Sequence, residues 1–216
     1  MLAAMLAGLC YRLAAFSFAL PYANVFGDEL PHTLAAFSLR TEKTIVASFP
    51  FYYLPPLMAY ILAPIFGIIG AIGILFGWFQ NIADFKNFVI VNRESFLSVS
   101  RVISALFGTA TIPFLFLLTK KLFNTSVAWI ALIFFTFDFW NIHEAQIGHI
   151  WAPIIFFIIA SLYFSYVVYE DGAKRKNHIL AVLFAGLGYG MGQVPVILFL
   201  WYILAHALSR SKNNRN

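Results

Sequence analysis

The chain has 216 residues, of which 62% are hydrophobic and 11% charged, with a formal net charge of +5 and a single cysteine. Soluble domains carry about 25% charged residues, so this composition excludes a water-soluble globular protein and describes a polytopic membrane protein. The positive charge gathers in short clusters beside apolar segments (Lys120-Lys121, Lys174-Arg175-Lys176, Arg210 to Arg215). That is the pattern of cytoplasmic membrane loops and not of a nucleic-acid footprint. One cysteine, Cys10, excludes an internal disulfide framework and a cysteine-based zinc site.

A bilayer span takes about 20 mostly apolar residues. The first candidate, 2–20, lacks the basic leader of a signal peptide and reads as a transmembrane helix. Arg12 inside it either snorkels or faces protein. Next comes an acidic pair, Asp28-Glu29, in a chain that otherwise avoids charge. Neighbouring carboxylates at a membrane boundary are costly to bury, which marks them as functional-site candidates. Asp28 also suits the N-cap of the helix that follows, with Pro31 in its first turn. Over 29–39, Leu30, Leu34 and Phe37 form one apolar stripe with His32 and Arg40 off it, predicting a short helix lying at the interface. The segment 55–79 is apolar and long enough to cross, but it opens with Pro55-Pro56 and carries Gly67, Gly70, Gly73 and Gly77.

Clear spans follow at 98–118, 126–142 and 150–169. Asp138 lies within an apolar run, where an acid costs ~2.5–3.5 kcal/mol, so it must face protein or water. The stretch 178–208 is too long for one span. Its glycines and Pro195 divide it into 178–190 and 194–208, with a break near 191–194. If 55–79 does not cross, the basic clusters at 120–121 and 174–176 and the basic tail all fall in the cytoplasm, as short-loop charge requires. That segment is therefore read as juxtamembrane or re-entrant, and 22–97 as one external loop region. Asp28-Glu29, Arg101 and the stretch from His143 to His149 then share one side. The predicted fold is all-α: a polytopic membrane helix bundle with juxtamembrane helices at 29–39 and 55–79 in the first external loop.

Four features in this order then resemble a known family. The Asp-Glu pair stands in "NVFGDEL", and an aromatic-proline element follows in "FPFYYLPPLMAYILAPIFGIIG". An arginine opens the next span in "SRVISALFGTATIPFLFLLTKKLF". "VAWIALIFFTFDFWNIHEAQIGHIWAPIIFFIIASLYF" then precedes the Gly-rich "AGLGYGMGQVPVILFL". Together they resemble the polyprenyl-phosphate-sugar-dependent glycosyltransferases of the C-type membrane fold, such as protein O-mannosyltransferases and lipid A aminoarabinose transferases.

The resemblance implies an inverting transferase that moves a sugar from a polyprenyl-phosphate donor to a protein, lipid or glycan acceptor at the external face. It implies Asp28 as general base toward the acceptor hydroxyl, with Glu29 beside it, and Arg101 as ligand of the lipid phosphate. Tyr53 and Pro56 of the aromatic-proline element are the matching donor contacts. His143, Glu144 and His149 at the mouth of the helix hairpin, with Gln193 at the Gly-rich break, are supporting residues. A guanidinium pairs bidentately with phosphate, and a carboxylate across the sugar would activate the nucleophile, which is sound chemistry independently of any family. The chain also departs from the pattern. Many relatives carry a lysine near the Gly-rich break, where this sequence reads Met191-Gly192-Gln193-Val194. Relatives also run longer, so the chain reads as an N-terminal module.

No cofactor is assigned. Two histidines and a carboxylate at 143–149 leave a divalent metal open, although their spacing is no established ligand motif. The expected location is a multi-pass integral membrane protein, in the plasma or inner membrane of a prokaryote. Two alternatives stand beside the enzyme: a non-catalytic lipid-binding subunit, and a transporter-like protein using Arg12, Asp138 and the broken Gly-rich helix. The transporter reading predicts an internal repeat, and the two halves show none.

Overall fold

The computed structural model describes residues 1–14, 29–41, 46, 55–171 and 174–213. Asp28 and Tyr53 lie outside the described residues. Among those described there are ten α-helices and no strand: α1 (Leu2–Leu13), α2 (Glu29–Thr41), α3 (Leu57–Leu75), α4 (Ile82–Val91), α5 (Leu97–Leu122), α6 (Thr125–Phe137), α7 (Phe139–Gln146), α8 (Trp151–Asp171), α9 (Arg175–Met191) and α10 (Ile197–Asn213). By length and hydropathy α3, α5 and α8 can each cross a membrane, as can α6 and α7 together if that bent pair is one span.

Helix α5 is the centre of the bundle and packs against α1, α6, α7 and α8, while α9 and α10 close on α8. Small residues let these helices approach, as expected where lipid gives no hydrophobic drive between spans. A Cβ on Gly108 of α5 would lie 2.9 Å from Arg12 Nε, and one on Gly8 of α1 would lie 2.7 Å from Ile112. Rings from three helices fill the α5–α8–α9 seam. Phe107 and Phe114 meet Phe156 at 5.3 and 5.6 Å, and Phe156 meets Phe184 at 5.9 Å.

Two predicted elements are redrawn. The 126–142 segment is not one straight helix but bends by 51° between α6 and α7. Asp138 stands at this bend, exposed, and caps α7 by accepting from the Asn141 backbone N–H at 2.8 Å and its side-chain amide at 2.7 Å. Its carboxylate thus meets the orphan donors of a helix start, which is cheaper than a place within an unbroken span. Arg12 faces protein and is fully buried. It donates to Gly8 O at 3.1 Å and to Phe135 O at 3.4 Å, one of the carbonyls that the bend deprives of a helical partner.

The second element is α2, whose buried face is not the apolar stripe. Glu29, His32, Thr33 and Ala36 follow one another at i, i+3, i+4 and i+7 and are all buried, whereas Leu34 is 41% exposed. Helix α4 lies in what the sequence reading treated as loop. Asn81 caps it, accepting from the backbone N–H groups of Ala83 and Asp84.

The bundle has two chemically different ends. Lys121 pairs with Glu170, which joins the ends of α5 and α8, and His178 at the start of α9 meets Tyr202 of α10 at 3.0 Å. Lys120, Lys174-Arg175-Lys176 and Arg210 belong to this end. Arg101 stands twenty residues earlier on α5, roughly 30 Å away along the helix.

Candidate functional site

Glu29 occupies the first turn of α2, where the helix dipole favours an anion. Arg101 projects from the beginning of α5. The two meet fork to fork: Arg101 Nε donates to Glu29 Oε1 and Nη2 donates to Oε2, both at 2.8 Å. Their side chains are 1% and 2% exposed, so this ion pair is removed from solvent. A third donor, the backbone N–H of Gly148, reaches Glu29 Oε1 at 2.6 Å. Every strong contact here is to a charged acceptor, the class of hydrogen bond that holds best when buried.

Gly148 has a steric reason to be glycine. A Cβ there would sit 2.2 Å from Ser100 Oγ and 3.3 Å from the Arg101 backbone nitrogen. Its absence lets the turn between α7 and α8 lie directly on α5. Ser104 Oγ fastens the same turn by donating to His149 O at 2.9 Å. One turn beyond Glu29, the ring of His32 packs edge-on to that of His149, with centroids 5.8 Å apart. Burial pushes His32 down from its ordinary value to about 4, and the proximity of His149 adds to the effect. His32 is therefore neutral around pH 7.

Glu29 and Arg101, separated in sequence, are thus brought together, and His149 joins them through Gly148 and His32. The Nε–Nη2 edge of Arg101 is held by the carboxylate of Glu29. His143 and Glu144 sit on α7, His143 Nδ1 3.8 Å from Glu144 Oε1, with the His143 ring stacked on Trp140 at 5.9 Å. Gln146 ties the same helix to α1 by donating to Tyr11 O at 2.8 Å. Pro56 precedes α3, and Leu57 packs against Gly190 near the end of α9. Gln193, exposed, follows that end, so the elements carrying Pro56 and Gln193 adjoin. Among the described residues no group of three or more His, Cys, Asp or Glu is arranged to hold a metal ion.

Sequence reasoning set His32 off the working face and gave Gly148 and Ser104 no part. The available signal was the spacing of Glu29, His32 and Thr33 at i, i+3 and i+4, which places three polar side chains on one helical face.

Fold and site together define a multi-span, all-α integral membrane protein with a buried carboxylate–guanidinium centre at the start of α2. Residues 47–208 match the dolichyl-phosphate-mannose-protein mannosyltransferase family, and the chain belongs to that family. At the level of the family it is a glycosyltransferase of the polyprenyl-phosphate-sugar type. The matched region contains Arg101, His149 and the Gly-rich break; Asp28 and Glu29 precede it. Comparison with curated proteins and with solved structures gave no match.

Proposed function

We propose that this chain carries the acceptor-activating part of an inverting glycosyltransferase, moving a sugar from a polyprenyl-phosphate donor to an acceptor hydroxyl at the external membrane face. The observation that carries this reading is the lock on Glu29, whose carboxylate is gripped by Arg101 and the Gly148 N–H immediately after Asp28 in the chain. Asp28 is the general base. It takes the hydroxyl proton as the acceptor oxygen attacks the anomeric carbon, and the bond from that carbon to the lipid phosphate breaks on the opposite face. The sugar inverts, and the phosphate leaves as an anion with the bonding electron pair.

Glu29 and Arg101 are positioning residues in this scheme. Arg101 also neutralises Glu29, whose charge would otherwise disfavour a second carboxylate one residue away. Donor contacts are proposed at Tyr53 and Pro56, with His143, Glu144, His149 and Gln193 supporting. The acceptor is a hydroxyl of a protein, lipid or glycan, and the membrane is the plasma or inner membrane of a prokaryote. Sidedness follows from charge. The end holding Lys120, Lys121 and Lys174 to Lys176 is cytoplasmic and the Glu29–Arg101 end external. Single cysteines at positions 86 and 174 should therefore label from opposite sides.

Asp28→Asn should lower transfer from a polyprenyl-phosphate donor by about 10²–10⁴-fold, the usual worth of a general base. The variant should keep the unfolding temperature of the parent chain. Near-normal transfer by Asp28→Asn would sink the assignment. Arg101→Lys separates its two possible roles: a positioning arginine lowers kcat, whereas a phosphate ligand raises KM for the donor.

A further inference from the structure

A cavity of about 390 Å³ opens between α2, α3 and α4. Its walls are Leu34 and Phe37 of α2, Gly70 and Ile74 of α3, and Phe85 and Val89 of α4, and Lys86 is its one polar side chain among the described residues. Glycine makes room for the wall that divides α3 from α4, since a Cβ on Gly70 would lie 2.6 Å from the Phe85 ring. Lys86 is exposed and forms no ion pair or hydrogen bond among the described residues. The cavity is therefore an apolar slot with one uncompensated cation at its rim. Water gains nothing in such a space, and apolar cavities of this kind take hydrocarbon instead.

We propose that this cavity binds an anionic phospholipid of the surrounding bilayer, an acyl chain filling the slot and the headgroup phosphate meeting Lys86. Three observations select that occupant. Helix α3, which forms one wall of the slot, is long and apolar enough to cross a membrane, so acyl chains have access to that wall. Lys86 distinguishes an anionic headgroup from a zwitterionic one, which carries its own cation. Leu34 and Phe37 lie on a different face of α2 from Glu29 and His32, so this lipid is separate from a donor presented to Asp28. Bound there, it bridges α2 to α3 and α4 and braces the helix that carries Glu29. The inference does not depend on the proposed transfer reaction.

The test is photolabelling of the full chain in phosphatidylcholine nanodiscs with a photoactivatable phosphatidylglycerol, followed by peptide mapping. The expected labels fall on α3 and α4, and unlabelled phosphatidylglycerol competes for them while phosphatidylcholine does not. Lys86→Gln should lower this labelling about fivefold, the worth of one lysine beside an anionic headgroup. Ala71→Phe, which fills the slot from an exposed position on α3, should abolish it. Both sites are exposed, so unchanged helical circular dichroism is the folding control. Labelling at the basic end of the bundle should persist in both variants. Equal labelling by a phosphatidylcholine probe, or α3–α4 labelling unchanged in both variants, overturns the proposal. Competition by polyprenyl phosphate but not by phosphatidylglycerol also overturns it and assigns the slot to the donor lipid.

Discussion

Two carboxylate–cation pairs brace this molecule at opposite ends, and they work in different surroundings. Glu29–Arg101 is bidentate, almost wholly removed from solvent and completed by a backbone N–H. Lys121–Glu170 joins α5 to α8 with both side chains about one-third exposed, 33% and 31%. A charge taken out of water must find its partners or destabilise the fold, whereas an exposed pair trades one solvated state for another. The first pair thus specifies where α2 docks, and the second decorates a contact that aromatic packing already makes.

The comparison breaks most visibly on Glu29→Ala, which leaves Arg101 buried without its carboxylate. Its expected cost is about 3–5 kcal/mol in unfolding measured in detergent. The double variant Glu29→Leu, Arg101→Met should recover much of that loss. If it does not, the pair does more than neutralise itself.

Next in size is a pH effect at His32. The unfolded chain protonates this histidine near pH 6.5, and the folded chain only at about 4. Its contribution is therefore fully present above about pH 6.5 and is lost as pH falls toward 4, by roughly 1 kcal/mol per pH unit. Stability followed by thermal unfolding across that window should slope downward in acid and flatten in His32→Leu. The His149 ring faces His32, so a slope that survives the substitution would transfer the effect to His149 or to another group of the site.

Gly148→Ala should cost about 1–3 kcal/mol, because the new methyl must displace the turn from Ser100 and draw its N–H away from Glu29. The smallest effect sharpens the other half of the comparison. Lys121→Ala should change the unfolding free energy by less than about 1 kcal/mol. A larger loss would show that the exposed pair carries structural weight after all.

Much of the architecture was legible in residues read one neighbourhood at a time. Hydropathy summed over 97–122 and 151–171 makes those helices unavoidable, and Gly192 with Pro195 ends α9 where the backbone can no longer continue. The candidate site was legible only in part. Glu29 and Arg101 were singled out separately, by the rarity of charge in this chain and by resemblance, and nothing local said that they meet. Asp138 was read as an acid within a span because its capping role exists only once the helix bends. His32 was set aside in favour of the stripe of Leu30, Leu34 and Phe37, of which Leu34 and Phe37 line the cavity with α3 and α4.

What the sequence by itself determined is the class: an all-α membrane bundle with breaks at known places and a family-level chemistry. The class and the breaks follow from burial and backbone preferences, which are local and additive, and the chemistry follows from resemblance to the family. Only the tertiary structure decided which face of α2 is buried, what holds Arg101, and that His149 packs on His32 beside Glu29. The physical reason is that a short, weakly amphipathic helix has no strong rotational preference of its own. Its orientation is set by one buried ion pair between residues 72 positions apart and by a glycine small enough to let a distant backbone N–H join it.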